Sequence, residues 1–339
     1  MIKNKKINKK SFFKKSFIKI ARKIGYELID QSDLTVITKN KNISENLSEI
    51  NIKSITVPLG EIKIQRKIKN LLIIFRSFTN ENKLLSQNKK RIFEKEKKEY
   101  TFRSLNSLCK SIKNTKKEIK NFKVKLKIID DNSNRNVLKK IENICKLNSV
   151  DFELNNLNVN LYKKKFKFKN NKRMQAHNSH IFASKEYAIK SNYDLIYFVE
   201  DDYLHSPNAL TEMIFTYQKF STIHNKDIIL CPSDYPYLYS KNQPTNVIIG
   251  HKIHWRNVKE SLCTYMISKK ILKSCWSFYY DMMINNYDPY EKPLHKLYKK
   301  YSCYSPIPSL ALHVTNINSV YGLSPGIDYK KFWENSKIK

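Results

Sequence analysis

The feature that most restricts the fold is a regular alternation between short apolar runs and longer segments of helical periodicity. The apolar runs are rich in β-branched and aromatic residues, as expected of buried strands. They are NLLIIFRSF (70–78), VKLKIIDDNS (124–133), DFELNNL (151–157) and LIYFVEDD (195–202), and the helical segments between them are 91–114, 137–147 and 173–191. This succession predicts an α/β fold with a mostly parallel sheet flanked by helices, and ligands at the carboxyl ends of its strands.

Three carboxylates directly end the fourth apolar run: Glu200, Asp201 and Asp202. The chain has only five glycines, and none forms a Gly-x-Gly-x-x-Gly or Walker A loop that would hold phosphates. Mg²⁺ and Mn²⁺ instead take one or two carboxylates together with substrate phosphate. Strand alternation places Glu200 and Asp202 on one side and Asp201 on the other. The cluster predicts a divalent-cation site; the structural alternative is a set of solvated acids capping the next helix.

The stretch EDDYLHSPNAL (200–210) resembles the metal motif of GT-A-type glycosyltransferases, loosely Asp-x-Asp, in a family 2-like form. It is most similar to the Glu-Asp-Asp version in N-acetylglucosaminyltransferases of N-glycan branching, where a Ser/Ala-Pro helix start also follows. The resemblance spans about residues 70 to 328. It implies a Rossmann-like GT-A fold, a nucleoside-diphosphate-sugar donor with UDP-sugars favoured, and Mn²⁺ or Mg²⁺ held by Asp202 and Glu200.

The resemblance also implies where the nucleotide lies. In the family, the ends of the first two strands contact the nucleotide, and an Arg-x-x-x-x-Asn pattern begins the helix before the metal motif. The matching residues here are Arg76, Asp130, Asp131, Arg173 and Asn178, together with Asp201 of the acidic cluster. Arg173 is expected to approach the pyrophosphate, and Asn178 is expected to support the turn.

The second half resembles the acceptor side of the same family. HWRNVKESLCTYMISKKIL (254–272) matches the acceptor loop without its usual glycine, and CWSFYYDMM (275–283) matches the segment whose last acid is the general base of inverting members. Asp281 is therefore one candidate base, although it is as well suited to capping a helix. Glu260, just before the acceptor turn, is the competing candidate. Asp288 and Glu291 are weaker options.

A C-terminal histidine joins the metal in many relatives, and His313 in YSPIPSLALHVT (304–315) stands at the matching place. The alternative is a histidine packed in the core, which is the usual fate of a lone histidine in an apolar run. His177 and His180 share one predicted helix, but no further Cys or His completes a zinc site, so packing is expected for both.

The sequence predicts a basic N-terminal extension over 1–66, and the resemblance implies a GT-A glycosyltransferase domain over 67–339, with 67–205 as its nucleotide-sugar half and 206–339 as its acceptor half. Near the N-terminus Phe13, Phe17, Ile20 and Ile24 recur at helical spacing among lysines. This predicts an amphipathic helix that rests on an anionic membrane or packs on the main domain. No apolar run is long enough to span a bilayer and no signal peptide is evident, so a cytoplasmic protein, peripheral on the inner membrane face, is expected.

The composition leaves two other functions open. The formal net charge of +34 invites a nucleic-acid-binding protein, but the lysines are dispersed and no nucleic-acid partner is expected. A nucleotidyltransferase shares the predicted sheet and acids but usually needs a glycine-rich basic loop, which RSFTNENKLL lacks. The leading hypothesis is a metal-dependent, inverting transferase that acts on a saccharide or lipid-linked acceptor in cell-surface polysaccharide biosynthesis.

Overall fold

The computed structural model of the chain describes residues 12–26, 28, 53–56, 60–80, 90–167, 171–240, 245–285, 287, 289–315 and 322–338. The helices are α1 (Phe12–Lys23), α2 (Lys97–Glu118), α3 (Arg135–Leu147), α4 (Lys172–Lys190), α5 (Ala209–Ile223), α6 (Lys269–Ser274), α7 (Trp276–Ile284), α8 (Lys292–Leu297) and α9 (Tyr329–Asn335). The strands are β1 (Lys53–Thr56), β2 (Gly60–Lys63), β3 (Asn70–Ser77), β4 (Lys123–Asp130), β5 (Phe152–Asn156), β6 (Leu195–Glu200), β7 (Tyr203–His205), β8 (Ile229–Leu230), β9 (Val247–Ile249), β10 (His254–Val258), β11 (Tyr265–Ser268), β12 (Cys303–Ile307) and β13 (Ala311–His313).

A nine-stranded sheet in the order β5-β4-β3-β6-β11-β8-β12-β10-β9 forms the centre of the molecule. Its first four strands are parallel, β11 runs antiparallel to both of its neighbours, and β8 and β12 are parallel. Strand β3 is buried over nearly its whole length, as expected of a parallel strand covered by helices on both faces. The predicted α/β architecture, with a large sheet flanked by helices, is confirmed.

The strand register brings the predicted site to one edge of this sheet. Arg76 at the end of β3 pairs with Glu200 at the end of β6, and Ser77 pairs with Asp130 at the end of β4. A separate two-stranded ladder joins β7 to β13, with His313 opposite Tyr203. Since Tyr203 follows the acidic cluster directly, the chain's C-terminal part returns to the carboxyl end of β6.

The N-terminal helix is confirmed as α1. Its apolar residues Phe13, Phe17, Ile20 and Ile24 are between 59% and 83% exposed, so this face does not pack on the described residues. Residues 29–52 of the predicted extension lie outside the described residues, as does Asp288. Within the described ranges, no helix has both the length and the apolar character needed to cross a bilayer.

Candidate functional site

An ion pair joins the ends of the two central strands. The Arg76 guanidinium donates from Nη2 to Oε1 of Glu200 at 2.8 Å. Arg76 is buried while Glu200 is half-buried, so the carboxylate is at the open side of the pair. The backbone N–H of Glu200 donates to Oγ1 of Thr264 at 3.1 Å, which ties the end of β6 to the residue just before β11.

Asp202 and His313 meet beside this pair. Nε2 of His313 lies 3.4 Å from Oδ1 of Asp202, and two further cations lie near Oδ2: Arg91 Nη1 at 3.6 Å and Lys97 Nζ at 3.9 Å. Burial alone would raise the pKa of Asp202, but Lys97, His313 and Arg91 together hold it far below the usual range. Burial alone would lower the pKa of His313, but the Asp202 carboxylate outweighs it and raises that pKa.

The position of His313 is fixed by its surroundings. Its ring stacks on buried Tyr203 with the ring centroids 4.5 Å apart and the planes only 5° from parallel. The next residue, Val314, donates its N–H to the backbone oxygen of Asp202 at 2.8 Å. Gly322 passes so close that a Cβ there would stand 1.8 Å from the His313 backbone oxygen, which requires glycine at this position. The fold thus brings together Asp202 and His313, the two side chains that the sequence suggested as metal ligands.

Asp201 has different neighbours from Asp202. Its carboxylate accepts from the N–H of Phe78 at 3.0 Å and from Oγ1 of Thr101 at 2.7 Å, and it is paired with the Lys97 ammonium. All three donors belong to the loop after β3 or to the start of α2. Both carboxylate oxygens are engaged by the protein, so we assign Asp201 to anchoring these elements and not to the nucleotide contact that the sequence suggested.

The two acids at the end of β4, Asp130 and Asp131, also differ in their hydrogen bonds. Asp130 is fully buried and accepts from Ser77 Oγ at 2.6 Å, from Ser133 N at 2.7 Å and from Ser133 Oγ at 2.9 Å, which makes it a support for the turn. Within the described part of the chain, the Asp131 carboxylate accepts from Asn132 Nδ2 at 3.2 Å. Burial raises the pKa of both carboxyl groups. Asp131 is the better candidate to accept a hydrogen bond from a base or ribose.

The start of α4 faces the same edge. Burial, followed by the charges of Arg76 and Arg173, lowers the pKa of His177 to about 3. Asn178 does not support the turn: its Nδ2 donates to the backbone oxygen of Met283 at 2.6 Å and so ties α4 to α7. The prediction for Asn178 therefore does not match its contacts, because this helix turns the residue inward.

The acid best placed as a base is Glu291, the N-cap residue of α8. Burial, and then the charge of Glu200, raises the pKa of Glu291 to about 7, and the Cys263 thiol lies 3.7 Å from its Oε1. Asp281 instead accepts from Asn285 Nδ2 and Tyr287 Oη, both at 2.6 Å, so its carboxylate is occupied locally. Glu260 is half-buried in the segment before the acceptor-side turn.

A cation would find few protein ligands at this edge. Across the described ranges, no three His, Cys, Asp or Glu side chains converge as a ready metal cage. Asp202 and His313 offer one oxygen and one nitrogen, and Glu200 is held nearby by Arg76. Mg²⁺ and Mn²⁺ commonly need only one or two protein ligands when phosphate oxygens and water complete the shell. The donor set therefore fits a cation shared with a phosphorylated substrate.

Comparison with protein-family models and with curated proteins finds no match. Among solved structures, the chain is similar to a crystal structure of S. aureus TarS 1–349, with 13% identity and a TM-score of 0.39 over 69% of this chain and 57% of that chain. The aligned region thus spans little more than half of that TarS structure. It is also similar to the galactosyltransferase LgtC in complex with donor and acceptor sugar analogues, with 9% identity and a TM-score of 0.34 over 68% of this chain and 70% of that chain.

Proposed function

We propose that this chain is a GT-A-type glycosyltransferase that moves a sugar from a nucleoside-diphosphate sugar to a saccharide or lipid-linked acceptor with inversion. The observation that carries the proposal is the meeting of two chemistries at the ends of β3 and β6. One is the Asp202–His313 pair, which suits a cation shared with phosphate. The other is Glu291, a carboxyl group whose pKa of about 7 suits proton removal near neutral pH.

Glu291 is the proposed general base. Its ionised carboxylate takes the proton from an acceptor hydroxyl as that oxygen attacks the anomeric carbon of the donor sugar. Burial, and then the negative charge of Glu200, which is held by Arg76, keeps the pKa of Glu291 raised. Asp202 and His313 would hold a divalent cation, Mn²⁺ or Mg²⁺, and a bound cation offsets the negative charge of the departing diphosphate.

The nucleotide would lie along the ends of β3 and β4. Asp131 would accept a hydrogen bond from the base or ribose, while Asp130 and Ser77 keep the strand ends in register. Arg173 at the start of α4 would approach the pyrophosphate. UDP-sugars are the proposed donors, and cell-surface polysaccharide biosynthesis is the proposed setting.

The first experiment is thermal unfolding of the full chain with UDP or GDP, with and without Mn²⁺. A nucleotide at one hundred times its Kd adds about 2.7 kcal/mol to the free energy of unfolding, so a clear rise in Tm is expected, and a larger rise when Mn²⁺ is present. Hydrolysis of the nucleotide sugar then separates a glycosyltransferase from a nucleotidyltransferase. Stabilisation by an oligonucleotide and not by either nucleotide would reject the proposal in favour of nucleic-acid binding.

A second part of the proposal concerns the exposed apolar face of α1. Three large exposed apolar side chains on α1 and a fourth, Ile24, directly after it stand in a segment rich in Lys and Arg, which is the pattern of a helix that lies in the interface of an anionic membrane. The apolar side chains enter the boundary between headgroups and acyl chains while the cations contact anionic headgroups. This would place the transferase on the membrane that carries a lipid-linked acceptor.

Flotation of the full chain with vesicles tests that contact. Binding is expected with vesicles that contain phosphatidylglycerol, is expected to weaken with salt, and is expected to be much lower with pure phosphatidylcholine. Replacing Phe13 and Phe17 by Ser should weaken binding roughly a hundredfold or more, because each buried Phe is worth about 1.5–3 kcal/mol and every 1.4 kcal/mol is about tenfold. Replacing Leu147 and Leu161, which are equally exposed but lie elsewhere, by Ser is the matched control. Unchanged binding of the Phe variant would refute the membrane role.

A further inference from the structure

A tight turn before α2 holds Arg91 beside the Asp202–His313 pair. The N–H of Ile92 donates to the backbone oxygen of Thr315 at 3.0 Å, and the N–H of Glu94 donates back to the Arg91 oxygen at 3.0 Å. The N–H of Phe93 donates to Tyr100 Oη at 3.1 Å. These three bonds fix the backbone of residues 91–94 against α2 and the segment after β13.

The Arg91 side chain is buried, and two of its three guanidinium nitrogens have no hydrogen-bond partner among the described residues. The residue is 7% exposed, and neither Nε nor Nη1 has a hydrogen-bond acceptor among the described residues. The nearest carboxylate oxygen, Oδ2 of Asp202, is 3.6 Å from Nη1, which is beyond a good hydrogen bond. Buried donors of a charged group without an acceptor are costly, so such a group is usually explained by an ordered water, an ion or a ligand.

The surroundings of Arg91 favour an anion. Its guanidinium lies over the Tyr100 ring at 5.2 Å, so its orientation is set by packing and not by solvent. Lys97 Nζ and the His313 ring lie within 4 Å of the same Asp202 carboxylate, at 3.9 and 3.4 Å. Helix α2 begins at Lys97, so the positive end of its dipole is also here. The carboxylates of Asp201 and Asp202 balance the charges of Lys97 and Arg91, so it is the two Arg91 donors without an acceptor among the described residues that favour an anion. A guanidinium with two free donors matches the paired oxygens of a phosphate better than it matches a neutral group.

We propose that Arg91 is an oxyanion-binding residue for the diphosphate of the nucleotide. The inference rests on the proposed function, because that function puts a diphosphate next to Asp202. Arg91 then donates from Nε and Nη1 to non-bridging phosphate oxygens, and its charge acts on the leaving group from within the protein. Part of the nucleotide affinity should therefore persist when divalent cations are removed.

Calorimetric titration of uridine, UMP and UDP into the full chain tests the assignment, first with EDTA and then with Mn²⁺. Arg91→Gln should weaken UDP binding by roughly tenfold or more, since hydrogen bonds to charged groups are worth about 1.5–3 kcal/mol. The uridine affinity should be unchanged, because uridine has no phosphate. Arg91→Lys keeps the charge but loses the paired donors. Its UDP affinity should therefore fall between that of the wild type and that of Arg91→Gln.

Lys90→Gln is the matched control, because it removes the same charge from an exposed neighbouring side chain. It should leave UDP affinity as in the wild type. Thermal unfolding of Arg91→Gln and Arg91→Lys identifies any variant that fails to fold. If Arg91→Gln does not fold, the UDP affinity of Arg91→Lys still tests the assignment. Equal UDP affinity for a folded Arg91 variant and the wild type overturns this inference alone, whereas absence of UDP and GDP binding to the wild type overturns the proposed function.

Discussion

Glu291→Gln is expected to lower the turnover of nucleotide-sugar hydrolysis or transfer by about two to four orders of magnitude, as for loss of a general base. The change removes the proton acceptor but keeps the size of the side chain. Glu291 is the N-cap residue of α8 and no N-cap side-chain hydrogen bond depends on it, so the fold should persist. UDP affinity should remain close to that of the wild type, because the nucleotide is proposed to lie at the ends of β3 and β4. Steady-state kinetics and UDP titration measure the two effects separately.

The pH dependence of kcat/KM is an independent test of Glu291 as the base. A base works when it is ionised, so kcat/KM of the wild type should rise with pH and level off above about 7, the pKa of Glu291. The groups that face this carboxyl are Glu200, the Cys263 thiol and His313, and the first of them acts to keep the pKa high. Glu200→Gln should therefore shift the rise of kcat/KM to lower pH. Asp281→Asn and Glu260→Gln are the controls, and a collapse of turnover in either, with Glu291→Gln active, would show that the base is misassigned.

The strands and their acids could be predicted from sequence because parallel strands covered on both faces are continuous apolar runs. Such a run ends where polar residues begin, and for β6 those residues are the acidic cluster. Alternation along the strand also predicted that Glu200 and Asp202 would differ from Asp201. In the structure, Glu200 pairs with Arg76 and Asp202 with His313, whereas Asp201 points to Lys97 and Thr101.

The proposed base and the proposed oxyanion-binding residue could not be ranked from sequence, because their environments come from contacts between distant parts of the chain. The pKa of Glu291 depends on burial and on Glu200 in another element. Asp281 fits the motif better, but Asn285 and Tyr287 occupy its carboxylate through local contacts that no motif encodes. Arg91 is one of many basic residues in the sequence, and only its burial and its unused donors set it apart.

Substitution of Asp201 should mainly reduce stability, whereas substitution of the adjacent Asp202 should mainly reduce turnover. Asp201→Asn is expected to lower the free energy of unfolding by about 3–5 kcal/mol, because it breaks a buried ion pair with Lys97 and weakens the bonds from Phe78 and Thr101. Asp202→Asn is expected to lower turnover by about 10²–10³-fold, because a charge that would hold the cation is lost. Urea unfolding and hydrolysis kinetics on both variants check these outcomes.

The contrast between the two variants is what identifies each role. The basic side chains around Asp202 lie 3.4 to 3.9 Å from its carboxylate oxygens, whereas Asp201 accepts hydrogen bonds at 2.7 and 3.0 Å in addition to its pair with Lys97. The larger loss of stability should therefore follow the Asp201 substitution. Mn²⁺ should still raise the Tm of the UDP complex of Asp201→Asn wherever that variant is folded, and should no longer do so for Asp202→Asn. A Mn²⁺ response retained by Asp202→Asn would remove this carboxylate from the cation site, and wild-type stability of Asp201→Asn would remove Asp201 from the anchor between β6 and α2.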